Sequence, residues 1–153
     1  MNKDMIPESP ESFKASAPYM HEIAFRAYYE ETDAGGVVYH SNYLKFAERG
    51  RTEFLRSVGF ENPVLRQDHG VRFLVRRAEL EYLAPAFLDD LLSVFTAIES
   101  VKNTSFVMKQ AVFCHNRLLC FMRVVLVCVD ESGRPVRLPS NVRTAFLSRC
   151  VLS

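Results

Sequence analysis

Asp33, the glycine pair Gly35-Gly36 and His40 crowd into the run Tyr29-Glu30-Glu31-Thr32-Asp33-Ala34-Gly35-Gly36-Val37-Val38-Tyr39-His40-Ser41-Asn42-Tyr43, just ahead of a strongly amphipathic stretch. A carboxylate in such a place can act on a carbonyl as general base or as nucleophile. Glycine lets backbone N–H groups approach a ligand and face it. The start of a helix adds unpaired N–H groups and the positive end of its dipole, which favour negative charge. The oxyanion that develops during acyl transfer is a charge of that kind. Asp33 and His40 are therefore the candidates for catalysis, and Gly36 and the apolar and aromatic Val37 and Tyr39 for contact with substrate.

Each of these residue types also has a commoner role. Asp before Ala-Gly-Gly often does no more than close a turn. The glycine pair matches no phosphate-binding fingerprint. A lone histidine more often caps a helix or faces solvent. What raises Asp33 and His40 is the combination of carboxylate, glycines, apolar-aromatic triplet and helix start. For His40, the backbone N–H at the helix entry weighs more than the ring. His21, His69 and His115 show no ligand spacing with one another or with cysteine, so no metal site is expected. There is no Gly-x-Ser-x-Gly elbow and no recognisable Ser/His/Asp order.

The element that must position this loop is a helix over residues 42–58. Tyr43, Phe46, Ala47, Gly50, Phe54 and Val58 recur at three- and four-residue steps and give it one apolar face. Lys45, Glu48, Arg49, Thr52, Glu53 and Arg56 mostly take the other faces. Ser41 is placed to cap its start and Gly59 to stop it. Gly50 costs helix stability relative to Ala, which is tolerable if the helix lies close on a sheet. Glu48, two turns in, can reach a cleft at a subunit seam and is a further candidate for substrate contact.

Around that helix the chain reads as strands. Residues 22–29 alternate loosely. After a loop containing Pro63, residues 70–82, 90–101, 105–114 and 118–129 are strand-like, the last two joined as a hairpin by a short turn at His115-Asn116-Arg117. Residues 139–153 hold a short helix in this reading. The order is strand, helix, then four strands. One helix covers one face of a five-stranded sheet, so the other face is expected to meet a second subunit, and the protein to be a homodimer.

The 153 residues suit a single domain over 20–153, with 48% hydrophobic and 24% charged residues, close to the globular average. The net charge of +1 gives no argument for nucleic acid or an anionic membrane. No run approaches the ~20 apolar residues that span a bilayer. Residues 1–19 are polar, contain Pro7, Pro10 and Pro18, lack the apolar core of a secretory signal, and are expected to form a flexible extension. Cys114, Cys120, Cys128 and Cys150 form no Cys-x-x-Cys pair and fall mostly in apolar runs. They read as free thiols in a reducing compartment, which places the protein in the cytoplasm.

The segment from Tyr28 to Phe60 closely resembles the hotdog-fold acyl-CoA thioesterases of the 4-hydroxybenzoyl-CoA thioesterase type, and most of all the bacterial branch encoded alongside the Tol-Pal envelope system. The match runs through Tyr29 to Phe46 and on through Glu48-Arg49-Gly50-Arg51-Thr52-Glu53. It continues more weakly through Tyr82-Leu83-Ala84-Pro85-Ala86 and Asp89-Asp90-Leu91-Leu92, and covers about residues 20–130. Gly50 departs from it, standing where many relatives have a slightly larger small residue. The resemblance implies an α+β hotdog fold, one long helix wrapped by a five-stranded antiparallel sheet. It implies dimers, often paired into a homotetramer, and hydrolysis of acyl-CoA without a metal or other cofactor. It makes Asp33 the catalytic carboxylate and the His40 N–H the group that polarises the thioester carbonyl. Two other classes stay open: a non-catalytic protein of the same fold that binds acyl-CoA or acyl carrier protein, and a hotdog dehydratase.

Overall fold

Five strands build one antiparallel sheet in a computed structural model, in which residues 1–151 are described. The strands are β1 (His21–Arg26), β2 (Arg72–Tyr82), β3 (Leu91–Val101), β4 (Ser105–Cys114) and β5 (Arg117–Val129). Their order across the sheet is β1-β3-β4-β5-β2, with every neighbour antiparallel. The β4–β5 hairpin expected from the sequence is present, its turn residue His115 lying at φ 54°.

Helix α2 (Asn42–Ser57) is the longest helix and lies on one face of the sheet. It buries Tyr43, Phe46, Ala47, Gly50, Phe54 and Leu55 against Leu92, Val94 and Ile98 of β3 and Met108 and Val112 of β4. Its end follows the expected chemistry. Gly59 sits at φ 85°, and the Phe60 N–H returns to the Leu55 carbonyl at 2.9 Å, closing the last turn. Its start differs from expectation. Ser41 precedes the helix with helical backbone angles and its side chain makes no capping bond. Asn42 does the tying instead, its side-chain Nδ2 donating to the Glu31 carbonyl at 2.8 Å.

The sheet is not served by one helix alone. The loop expected around Pro63 is helix α3 (Asn62–His69). Proline fits the first turn of a helix, where its missing N–H has no partner to lose. Gly70, left-handed at φ 65°, ends it. The tail holds α4 (Ser140–Leu147), whose Val142 and Phe146 are fully buried.

The largest departure is at the N-terminus. The extension expected to be flexible contains helix α1 (Pro10–Ser16), capped reciprocally by Ser9 and Ser12. Phe13 and Ala17 from this segment are buried on the sheet face opposite α2, among Phe95, Ala97, Ala111, Phe113 and Phe121. The apolar face expected to meet a second subunit is thus covered from within the chain.

Candidate active site

The candidate loop begins in a short 3₁₀ turn over Tyr29–Glu31. Glu31 is 8% exposed, and its carboxylate accepts the Tyr28 N–H at 2.8 Å. Its carbonyl receives both the Tyr39 N–H and the Asn42 side chain. One peptide group therefore fixes the entry of the loop and the start of α2 together.

Between these anchors the chain folds back on itself. Thr32 and Val38 form an antiparallel bridge, and the Asp33 N–H donates to the Val37 carbonyl at 2.9 Å. The Gly36 N–H closes the turn onto the Asp33 carbonyl at 3.0 Å. Gly36 has φ 81°, which a side chain would strain. A Cβ at Gly35 would stand 3.2 Å from Asp33 Oδ1, so that glycine makes room for the carboxylate itself. The Gly35 N–H donates to the same Oδ1 at 2.8 Å. Among the described residues nothing donates to the second oxygen, and Asp33 is exposed. One oxygen is held and the other is available.

The far strand of this turn is tied to the loop after β2. Val37 bridges Phe87, and the Val38 N–H donates to the Ala86 carbonyl at 2.8 Å. Beyond it, Tyr39 and His40 are exposed and their rings meet at 4.5 Å, tilted by 56°. Tyr82, at the end of β2, donates its hydroxyl to the His40 carbonyl at 3.0 Å. Its ring also meets the edge of Tyr43, whose hydroxyl burial holds above the usual tyrosine range. No described residue accepts a hydrogen bond from the His40 N–H. That N–H stands at the helix entry, where electropositive donors collect.

The structure thus brings Asp33, Gly36, Val37, Tyr39 and His40 onto one continuous turn and helix entry. Glu48 is exposed two turns further along α2 and stands apart from that turn in the single chain. It lines a cavity of about 230 Å³ with Arg51, Thr52, Leu55, Phe73, Leu74 and Val75. On β2, Arg76 and Arg77 are exposed, and Arg77 pairs with Glu79 at 3.2 Å. Sequence reasoning missed Glu31, Asn42 and Tyr82, which hold the loop in place. The four cysteines are free thiols. Burial pushes Cys120 up to about 12 and Cys128 to about 11, which removes them as nucleophiles near neutral pH.

The site is open in one chain. Tyr28, Tyr29, Tyr39, Leu44, Tyr82 and Phe87 around it are exposed. In the edge strand β2, residues 74–78 are exposed on both faces. An uncovered edge strand of this kind invites a partner strand.

Residues 29–146 match the family model described as Thioesterase-like superfamily. The chain is 46% identical over 123 residues to the Escherichia coli O6:H1 acyl-CoA thioester hydrolase YbgC, covering 79% of this chain and 91% of that protein. It is 41% identical over 122 residues to the Haemophilus influenzae acyl-CoA thioesterase YbgC, covering 79% of this chain and 90% of that protein. Among solved structures, a Bartonella henselae protein described as a probable thioesterase superposes with a TM-score of 0.75 at 38% identity, over 78% of this chain and 99% of that one.

Proposed function

We propose that this chain, which belongs to the thioesterase-like superfamily, hydrolyses the thioester of acyl-CoA to the free acid and coenzyme A. The activity named for its YbgC relatives supports this reading. The observation that carries it is the Asp33 carboxylate, fixed through Oδ1 by the Gly35 N–H, on the turn that leads to the unclaimed His40 N–H.

In this mechanism the thioester carbonyl points at the His40 N–H and the helix start. Asp33 takes a proton from water as the water oxygen bonds to the carbonyl carbon, or attacks that carbon itself, and both routes need the ionised carboxylate. The tetrahedral oxyanion is stabilised by the His40 N–H. Collapse breaks the C–S bond and coenzyme A leaves as a thiolate. On the general-base route the free acid forms directly and the thiolate takes up the proton held by Asp33. On the direct route an acyl–Asp33 mixed anhydride remains, which water hydrolyses to the free acid. One preorganised donor of this kind is typically worth ~10²–10³ in turnover. Gly36, Val37 and Tyr39 line the approach of the substrate. The motif from Tyr29 to Phe46 supports assignment to the 4-hydroxybenzoyl-CoA thioesterase type and its Tol-Pal-associated branch. The free thiols support a cytoplasmic location.

Tyr82 sets the peptide next to the donor. Tyr82→Phe removes one neutral hydrogen bond to the His40 carbonyl, worth ~0.5–1.5 kcal/mol. Turnover is expected to fall ~2- to 12-fold if the full bond energy is felt in the transition state. The check is steady-state kinetics beside a thermal melt. Unchanged kcat at unchanged stability excludes the positioning role.

The working unit is a homodimer joined along β2, which places a partner over the open site and lets Glu48 line the acyl groove at the seam. Pairing of such dimers into a homotetramer has to use a surface other than the one α1 covers. Light scattering combined with an activity assay is expected to find dimers and no active monomer, and a stable, fully active monomer contradicts a composite site. A free-thiol assay across short, long and aromatic acyl-CoAs tests the reaction itself. Tight acyl-CoA binding with no thiol released assigns the fold to a binding role instead.

A further inference from the structure

We infer that residues 1–20 are a built-in seal over the outer sheet face, and that this seal keeps a second copy of the chain from docking there. Phe95 and Ala97 of β3, Ala111 and Phe113 of β4, and Phe121 of β5 form an apolar cluster separate from the core under α2. The arm completes that cluster. Phe13 is fully buried, its ring set edge-on to Phe95 at 5.5 Å, and Phe95 in turn packs on Phe113 at 5.1 Å. Ala17 is 1% exposed, and Ile6 and Met20 pack against the same cluster.

Polar contacts hold the arm in register. Lys109 of β4 donates to Ser16 Oγ at 2.8 Å while its ammonium lies 5.1 Å from the Phe13 ring centre. Lys14 reaches back over Phe95 at 5.5 Å. The side of α1 turned to solvent carries Glu11, Ser12, Lys14 and Ala15. The arm therefore replaces an apolar sheet face with a mostly polar helix surface. The arm lies ahead of the family match, which spans residues 29–146.

Without the arm, three phenylalanines would stand on one flat face. A second copy is the occupant this face fits. Its rim carries both signs of charge, with Arg123 paired to Glu99 and Lys109 beside them. A face that is apolar at its centre and mixed in charge at its rim can meet itself across a two-fold axis. The inference does not depend on the catalytic reading, because it concerns the opposite face of the sheet.

The test is particle mass by light scattering across a concentration series for three proteins. These are the full chain, a variant lacking residues 1–19, and full-length Phe13→Gln. The truncated chain is expected to reach roughly double the mass of the full chain, and Phe13→Gln to shift the same way as concentration rises. Thiol release per subunit should stay near that of the full chain. Adding Phe113→Lys to either variant should return it to the full chain's mass, or to solution if it had precipitated. Variants that keep the full chain's mass at every concentration overturn the inference. So does association that Phe113→Lys leaves in place, since it then uses another surface.

Discussion

Asp33→Asn is expected to abolish thioester hydrolysis while leaving the fold intact. The two halves of that expectation rest on different observations. Asp33 is exposed, and its side chain's one described hydrogen bond is the 2.8 Å contact from the Gly35 N–H to Oδ1. An asparagine carbonyl oxygen accepts the same bond, so the turn through Gly36 keeps its geometry. Surface changes that spare such features stay within about 0.5 kcal/mol. The chemistry is not spared. An amide neither takes a proton from water at neutral pH nor attacks a carbonyl as a carboxylate does. Loss of a positioned general base typically costs ~10²–10⁴ in rate, and loss of a nucleophile costs more. The measurement is release of free thiol from the best acyl-CoA, run beside a thermal melt. Wild-type turnover in Asp33→Asn removes Asp33 from the reaction. A lowered rate with a lowered melting temperature would point to the turn, and not to the carboxylate's chemistry.

Much of this site was readable because it is contiguous in the chain. Asp33, Gly35, Gly36 and His40 occupy one short run, and the period of Tyr43, Phe46, Ala47, Gly50 and Phe54 announces the helix that follows. The central strands were legible as apolar, β-branched runs, because α2 and α1 bury them on both faces. What escaped was long-range. Tyr82 lies 42 residues from His40, and nothing in its strand marks it as the partner of that carbonyl. The bridge from Val37 to Phe87 has the same character. Helix α3 is hidden because Pro63 reads equally well as a loop residue, although its place in the first turn is a favourable one. Helix α1 was hidden because seven residues with one aromatic carry no period. Phe13 is buried only because a sheet face formed elsewhere in the chain receives it, and no local pattern encodes that.

Gly50→Leu is expected to prevent stable folding. A Cβ built at Gly50 would stand 2.7 Å from Thr96 Oγ1, 2.8 Å from Val94 Cγ1 and 3.0 Å from Gln110 Nε2. These neighbours are not free to step aside. Thr96, Val94 and Gln110 are fully buried. Gln110 Nε2 donates to Thr96 Oγ1 and to the Ala47 carbonyl, both at 2.8 Å, and its oxygen accepts from Arg51 at 3.0 Å. Burial holds the Arg51 guanidinium below its usual range against the partly offsetting charge of Glu48, so losing Gln110 would leave a desolvated cation short of a hydrogen-bond partner. Pushing α2 off the sheet therefore strains packing and strands polar groups at once. Overpacking typically costs ~1–3 kcal/mol, and each stranded buried group ~1–3 more. Against a total stability of the order of 5–15 kcal/mol, these costs together remove most of the margin that keeps the chain folded. The sign of a smaller change is the sharper test. In an uncrowded helix Gly→Ala gains ~1 kcal/mol. Here Gly50→Ala should lose ~2 kcal/mol, a fall of roughly 4–8 °C in melting temperature. A melt in which Gly50→Ala is more stable than the parent would show that α2 does not need a bare backbone to lie against β3 and β4.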